Sequence, residues 1–421
     1  MAHLIIHNIK TLYTSQGNTP LKGDRQGEMT AIDQAFIVIN HDKIAMVGQG
    51  NYKKYIQSDT IFHDALGAIA VPGLIDSHTH LVHGGSREAE FAMKIKGVPY
   101  LDILKSGGGI HSTVEKTRRT SFDDLYHQAK HSLDLMMTFG VTTIEAKSGY
   151  GLNLDTELKQ LKVAKKLNET HPIDIVSTYM GAHAIPKEYQ SSRSDYIEQI
   201  INDLETIAKL HLAEAVDVFC ETDVFSLEET RQILTKAKEI GFQVRMHADE
   251  INSIGGAGLA VDLNASSADH LMAIDENDIE KLAASQTIAN LLPMTSFYLN
   301  KPYANGRKLL SSGAAVAISS DYNPGSAPSE NFQFAMQLAA NKMSLTANEI
   351  LNAVTLNAAC VLGKSQHIGT LETGKQADIV LLKIPNLEYF FYHFGINHTQ
   401  DVFKNGQLVV HNQNIVSEVS Q

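Results

Sequence analysis

The sequence predicts an α/β protein, a (β/α)8 TIM-type barrel with a small β-sandwich domain built from both chain ends. Three observations support this prediction. Apolar strands alternate with helical stretches through the middle of the chain, as in a parallel barrel. Both ends consist of short β-type runs separated by turns. Histidines and acids follow several predicted strands, at the end where barrel enzymes carry their chemistry.

The two chain ends predict one shared β domain. Residues 1–66 contain short strands, with a hairpin expected near 41–43, and Asn405-Gly406 is a hairpin turn between two apolar runs. Neither end has enough apolar residues for a core of its own, so we expect the two ends to pair. The predicted domain limits are 1–66 and 365–421 for the β-sandwich and 67–364 for the catalytic barrel.

The central segment contains eight strand candidates separated by stretches with apolar residues at helical spacing. A doubly wound open sheet is the alternative. It would place a glycine-rich phosphate loop after an early strand, and the GGSRE sequence at 84–88 is not such a loop. The strand candidates are 69–77, 140–146, 174–181, 215–220, 243–247, 265–269, 287–292 and 314–319, and the helical stretches include 155–169, 194–212, 227–240 and 275–284.

Composition narrows the class of partner. Of the 421 residues, 43% are hydrophobic and 19% are charged, which is enough for a large core. The net charge of −12 argues against nucleic acid and anionic membranes, because both require a basic protein surface. The distant Cys220 and Cys360 suggest neither a disulfide framework nor a thiolate zinc site. The sequence shows no signal-type start and no run of about 18 apolar residues, so we expect a cytoplasmic enzyme with a small-molecule substrate.

Two histidines one residue apart, His78 and His80, follow the first predicted strand. Side chains at i and i+2 of an extended strand point to the same face, so both rings can reach one ion. An isolated His-Thr-His is more often without function. Here Pro72-Gly73 precedes the pair and Gly84-Gly85 follows it, where the backbone must turn sharply or approach a ligand closely.

Histidines and acids recur at the ends of other predicted strands. A core histidine that bonds a backbone carbonyl explains any one of them, but not their recurrence at matching ends. Three imidazoles and one carboxylate suit a divalent transition metal with room for water, which the metal acidifies. Glu250 and His270 are then candidate proton carriers, although Glu250 alone could equally be an acid at a helix N-terminus. The candidate ligands are His78, His80, His247 and Asp321.

Arg87, in the loop after the histidine pair, is the candidate for binding an anionic substrate. Its planar guanidinium matches a carboxylate, and a solvated surface arginine is the alternative. Tyr150 and His183 follow the second and third predicted strands and could line the same opening.

Six segments, in order over nearly the whole chain, resemble the amidohydrolase superfamily, and within it the enzymes that open an imidazolone ring in histidine degradation. The resemblance implies a metal-dependent barrel flanked by a β-sandwich. It also implies hydrolysis of 4-imidazolone-5-propanoate to N-formimidoyl-L-glutamate. The segments are PGLIDSHTHLVHGGSREAEF, KSGYGL, GAHAIP, HADE, SADHL and SSDYNPGS.

The resemblance also implies roles for individual residues. Many members hold two metals bridged by a modified lysine on the fourth strand, but here that strand ends in Cys220-Glu221 without a lysine. We therefore expect one zinc or iron ion per chain. We also expect the protein to be a homodimer. The implied metal ligands are His78, His80, His247 and Asp321; the acid–base residues are Glu250, His270 and Asp321; the substrate contacts are Arg87, Tyr150, His183, Glu250, Asn323, Gly325 and Ser326.

Two other interpretations stay open. A ring deaminase of the same superfamily would use the same metal ligands on a cytosine- or guanine-like base, but a neutral base offers Arg87 no carboxylate. A non-catalytic relative that keeps the barrel without the metal is disfavoured, because candidate ligands stand at all four positions.

Overall fold

A computed structural model describes residues 3–98, 102 and 108–416. Within these residues, eight parallel strands form one sheet that is nearly closed as a barrel, and nine strands from both chain ends form a mixed sheet. The predicted fold class is confirmed. The strands are β1 (Leu4–Thr14), β2 (Thr30–Asn40), β3 (Lys43–Gln49), β4 (Ile61–Asp64), β5 (Ile69–Pro72), β6 (Leu74–Asp76), β7 (Val141–Lys147), β8 (Asp174–Ala182), β9 (Ala215–Cys220), β10 (Gln243–Ala248), β11 (Ser267–His270), β12 (Ile288–Leu291), β13 (Val316–Ile318), β14 (Ile379–Leu382), β15 (Thr399–Lys404), β16 (Gln407–His411) and β17 (Asn414–Ile415).

The mixed sheet joins the two chain ends through β5. Its order is β17-β16-β15-β14-β5-β1-β2-β3, with β4 beside β1. Strand β5 is parallel to β1 and antiparallel to β14, so it pairs with both ends of the chain. The predicted hairpin at Asn405-Gly406 is present, and both residues have the positive φ that a tight two-residue turn requires. The hairpin near His41 connects β2 and β3.

The interpretation of residues 69–77 as a single barrel strand is wrong. Residues 69–72 belong to the mixed sheet and residues 74–76 to the barrel, so the chain changes sheets at Gly73. The Gly73 amide donates to Asp378 O at 2.9 Å, whereas the Leu74 amide donates to Gly140 O at 3.1 Å. A Cβ at Gly73 would collide with the Thr142 hydroxyl. Glycine is therefore required where the two sheets meet.

The barrel closes between its first and last strands just beyond their C-terminal ends. Thr79 and Tyr322 form an isolated parallel bridge. The Asp321 amide donates to His78 O at 3.1 Å, and the His80 amide donates to Tyr322 O at 2.8 Å. Closure of the barrel therefore brings the Asp321 carboxylate, which follows β13, beside His78 and His80, which follow β6.

The helices surround the barrel and begin with side-chain caps at several positions. Asn153, Ser226 and Asp275 each accept a backbone N–H of the first turn that follows them. All four predicted helical stretches are confirmed, and within the described ranges no helix has the length and apolarity to cross a membrane. The helices are α1 (Glu88–Ile95), α2 (Ile110–Arg119), α3 (Phe122–Thr138), α4 (Leu154–Thr170), α5 (Arg193–Leu210), α6 (Leu227–Ile240), α7 (Gly256–Asp262), α8 (Glu276–Ala284), α9 (Pro293–Leu299), α10 (Gly306–Ser311), α11 (Phe332–Met343), α12 (Ala347–Ala353), α13 (Leu356–Val361) and α14 (Leu387–Tyr392).

Candidate active site

The four predicted metal ligands come together at the C-terminal mouth of the barrel, and all of them are buried. The ring centroid of His78 lies 4.5 Å from that of His247 and 5.4 Å from that of His80. The Asp321 Oδ1 atom lies 3.5 Å from His78 Nε2 and 3.7 Å from His80 Nε2. Residues at the C-terminal ends of the barrel strands β6, β10 and β13 therefore face one small volume.

Hydrogen bonds to buried carboxylates orient two of these histidines. His78 Nδ1 donates to Asp269 Oδ2 at 2.6 Å, and His247 Nδ1 donates to Asp217 Oδ2 at 3.1 Å. Because each carboxylate accepts the Nδ1–H hydrogen bond, the neutral form of each ring carries its lone pair on Nε2. Both Nε2 atoms are buried without a hydrogen-bond partner. Burial lowers the pKa of His78 well below its usual value, so this ring is neutral.

The donor atoms fit a divalent transition metal. His78, His80 and Asp321 offer atoms that lie within 4.8 Å of one another, and so do His78, His247 and His270. His78 is common to both groups. Nitrogen donors with one carboxylate oxygen form the ligand set expected for zinc or iron. His270, which the sequence suggests only as a proton carrier, also lies within this distance of His78 and His247.

Glu250 and His270, the two candidate proton carriers, lie close together beside the candidate ligands. Their Oε2 and Nε2 atoms lie 3.7 Å apart, and only 14% of the Glu250 side chain is exposed. Burial, reinforced by the nearby Asp321, raises the pKa of Glu250 to about 7. Burial also raises the pKa of Asp321 to about 6 and lowers that of His270 well below its usual value.

Glu250 is not an acid at a helix N-terminus. Its neighbour Asp249 has that role, because its carboxylate accepts the backbone N–H groups of residues 254–257 at the start of α7. Glu250 is left to face the site. The structure therefore favours the interpretation of Glu250 as a proton carrier.

Arg87 lies directly over the turn at residues 323–326, which follows β13, the eighth strand of the barrel. Its Nε donates to Thr113 Oγ1 at 2.8 Å. A Cβ at Gly325 would collide with the Arg87 guanidinium, so this glycine leaves the space that Arg87 occupies. Asn323 Oδ1 accepts the amides of Gly325 and Ser326 at 2.7 and 2.8 Å, which fixes the turn. Arg87 also lines a cavity of about 300 Å³ together with His83, Tyr322 and Asn323.

Tyr150 and His183 form a neutral aromatic wall beside His80. The His183 ring stacks on His80 at a centroid distance of 4.9 Å, and Tyr150 lies 5.3 Å from His183. His183 Nδ1 donates to Gly149 O at 3.0 Å. Burial lowers the pKa of His183 to about 3, so the ring is neutral and can pack on an uncharged heterocycle.

Sequence reasoning assigned no role to several residues that shape the site. Asp217 and Asp269 orient the rings of His247 and His78 from within their strands. An acid inside an otherwise apolar strand, as in AVDVFC, is the signal that could have identified Asp217. Thr295 donates to the Asp321 carboxylate, and no pattern in the sequence indicates this contact.

Comparison with known proteins identifies the family. Residues 69–409 match the amidohydrolase family model. A protein of Fusobacterium nucleatum named imidazolonepropionase is 50% identical over 97% of this chain and 99% of the relative. Proteins of the same name from Alkaliphilus metalliredigens and Streptococcus pyogenes serotype M6 are each 48% identical over 97% of this chain, covering 98% and 97% of the relative, respectively.

Solved structures show the same fold at low sequence identity. An adenosine deaminase of Xanthomonas campestris with bound zinc has a TM-score of 0.73 and 17% identity, over 99% of this chain and 94% of that one. The guanine deaminase of E. coli has a TM-score of 0.71 and 14% identity, over 97% and 99%. With the family match over most of the chain and half of the aligned residues identical to those of a full-length relative, the chain belongs to the amidohydrolase family.

Proposed function

We propose that this protein hydrolyses 4-imidazolone-5-propanoate to N-formimidoyl-L-glutamate by opening the cyclic amide C–N bond. The observation that carries the proposal is the position of Arg87, which lies over the turn that follows the candidate ligand Asp321. A guanidinium beside a candidate metal site suits a substrate that joins a polar ring to a carboxylate. The full-length relatives named imidazolonepropionase support the same substrate.

His78, His80, His247 and Asp321 are the residues that would hold one divalent metal, zinc or iron. Such an ion acidifies water and polarises the ring carbonyl. The buried, unpartnered Nε2 atoms of His78 and His247 support this assignment. A second, lysine-bridged ion is not expected, because the strand-four segment 215–220 contains no lysine. The zinc of the Xanthomonas campestris neighbour is consistent with a metal in this fold.

The acid–base residues have complementary roles. Asp321 and His270 accept the proton of the attacking water as its oxygen bonds to the ring carbonyl carbon. When the C–N bond breaks, the ring nitrogen receives a proton from Glu250. Its pKa of about 7 leaves a large fraction of Glu250 protonated at neutral pH. One water is consumed: its hydroxyl adds to the ring carbonyl carbon, and its proton passes from Asp321 or His270 back to Glu250 after Glu250 has protonated the ring nitrogen, so that all three side chains regain their starting protonation states.

The remaining predicted contacts orient the substrate. Arg87 binds the propanoate carboxylate, and the rings of Tyr150 and His183 pack beside the imidazolone. Holding both ends of the substrate places the ring carbonyl at the ligand set, and such positioning lowers the barrier to attack. Asn323, Gly325 and Ser326, in the turn beside Arg87, complete the substrate contacts. The expected homodimer stays a prediction, to be tested by light scattering of the purified protein.

The test is an anaerobic assay with purified, metal-loaded protein. Loss of imidazolone absorbance is measured, and N-formimidoyl-L-glutamate is identified by mass spectrometry. Cytosine and guanine are assayed in parallel for release of ammonia. We expect turnover of the imidazolone alone. Turnover of a base without turnover of the imidazolone would establish the deaminase interpretation instead.

A further inference from the structure

A cluster of five charged side chains lies inside the barrel beneath the metal ligands, and the proposed chemistry uses none of them directly. Three carboxylates face two cations, and all five side chains are fully buried. Burying so many charges is costly unless each is paired and in place. The cluster consists of Glu145, Lys147, Asp217, Arg245 and Asp269.

Lys147 lies close to all three carboxylates of this cluster. Its Nζ lies 2.6 Å from Asp217 Oδ2, 2.7 Å from Glu145 Oε2 and 3.8 Å from Asp269 Oδ2. Arg245 pairs with the other oxygen of Glu145, so Glu145 is held from both sides.

The oxygens that face Lys147 are the ones that accept from the histidines. Asp217 Oδ2 accepts from His247 Nδ1, and Asp269 Oδ2 accepts from His78 Nδ1. One ammonium group thus lies between the two carboxylates that set the orientation of two candidate metal ligands.

We propose that Lys147 is a positioning residue for the metal site, which acts through Asp217 and Asp269 to aim His247 and His78 at the ion. The proposal rests on the assignment of these histidines as ligands in the proposed function. Without Lys147, three buried carboxylates would face the single charge of Arg245. Asp217 and Asp269 would then repel each other in a medium that screens poorly. Their movement would turn the two rings and separate the Nε2 atoms.

Lys404 provides a matched control. It is also a buried lysine between two aspartates, because its Nζ lies 2.7 Å from both Asp174 Oδ2 and Asp378 Oδ2. These aspartates contact none of the ligand histidines. Loss of Lys404 therefore removes a buried pair with Asp378 and a more exposed pair with Asp174, neither of which involves a carboxylate that contacts a ligand histidine.

The experiment compares metal binding by full-length wild type, Lys147→Met and Lys404→Met. Zinc affinity is measured by chelator competition, ligand geometry by the visible absorption spectrum of the cobalt(II) form, and folding by thermal unfolding. Removing a residue that orients ligands typically weakens metal binding by about 10- to 100-fold. We expect this loss and an altered cobalt spectrum for Lys147→Met only, whereas Lys404→Met loses thermal stability alone. Wild-type zinc affinity and cobalt spectrum in Lys147→Met would overturn the proposal.

A second variant covers the case in which Lys147→Met does not fold. Asp269→Asn keeps the pairs of Lys147 with Asp217 and Glu145 but weakens the acceptor of His78. We expect at least about a 10-fold loss of zinc affinity, and an unchanged affinity and cobalt spectrum would refute the proposed path. These measurements do not use the substrate. A wild-type protein that binds zinc but does not turn over imidazolone would therefore contradict the proposed function and leave this inference standing.

Discussion

The proposed function assigns Arg87 to the substrate carboxylate, so its replacement is the most informative perturbation. Arg87→Met keeps much of the side-chain stem and removes the guanidinium. Truncating one partner of a buried charge pair costs about 2–5 kcal/mol. Arg87 is partly exposed, so solvent screens the pair and the lower part of the range applies. We expect a cost of about 2–3 kcal/mol, which is roughly a 30- to 150-fold loss in kcat/KM.

The assay follows 4-imidazolone-5-propanoate and an analogue whose side chain lacks the carboxylate. Wild type should process the analogue weakly, and Arg87→Met should be no worse than wild type on it. Arg87→Lys should recover little of the lost rate, because lysine restores the charge without the planar fork that Thr113 holds in place. Equal losses on both compounds would refute the reasoning, since Arg87 would then support the loop or the metal site.

Gly325→Ala tests the same contact without changing any charge. The new Cβ would collide with the Arg87 guanidinium and displace it. KM for the carboxylate substrate should rise by about 10-fold or more, a cost of roughly 1.4 kcal/mol, while rates on the analogue should change little. An unchanged KM would show that Arg87 does not need its observed position to bind substrate.

Three further predictions concern the ligands, the proton donor and the fold. Glu250→Gln should lower kcat by about 10²-fold with metal retained. It should also abolish the fall in rate above about pH 7, because the wild-type carboxyl donates a proton only below its raised pKa. Loss of the metal, or a fall in rate above pH 7 that persists in the variant, would show that Glu250 is not the proton donor. His247→Ala should lose both metal and activity, whereas the wild type should contain about one ion per chain by elemental analysis; two tightly bound ions would refute the mononuclear site. Gly73→Ala should destabilise the fold by about 1–3 kcal/mol in denaturant unfolding, because its Cβ meets Thr142; wild-type stability would mean that the sheet junction adjusts freely.

Local patterns in the sequence were sufficient for much of the fold and for naming the candidate ligands. The alternation of strands and helices predicted the barrel, and the four predicted helical stretches match helices of the structure. The prediction that His78 and His80 face one ion used only the two-residue period of an extended strand, although both residues lie just beyond the end of β6. The resemblance in six ordered segments predicted the family that the comparisons confirm.

Tertiary structure alone decided how these residues act together. Residues 69–77 have one continuous apolar pattern, and only the contacts at Gly73 divide them between two sheets. Asp269 and His78 are 191 positions apart and meet through the barrel. The place of Arg87 likewise depends on the missing side chain of Gly325. The spacing of apolar residues predicts which face of a helix or strand is buried, but it does not predict which distant side chain packs against that face. The sequence by itself therefore determined the fold class and the candidate ligands, whereas the orientation of those ligands and the surroundings of Arg87 were decided by strand pairing and barrel closure.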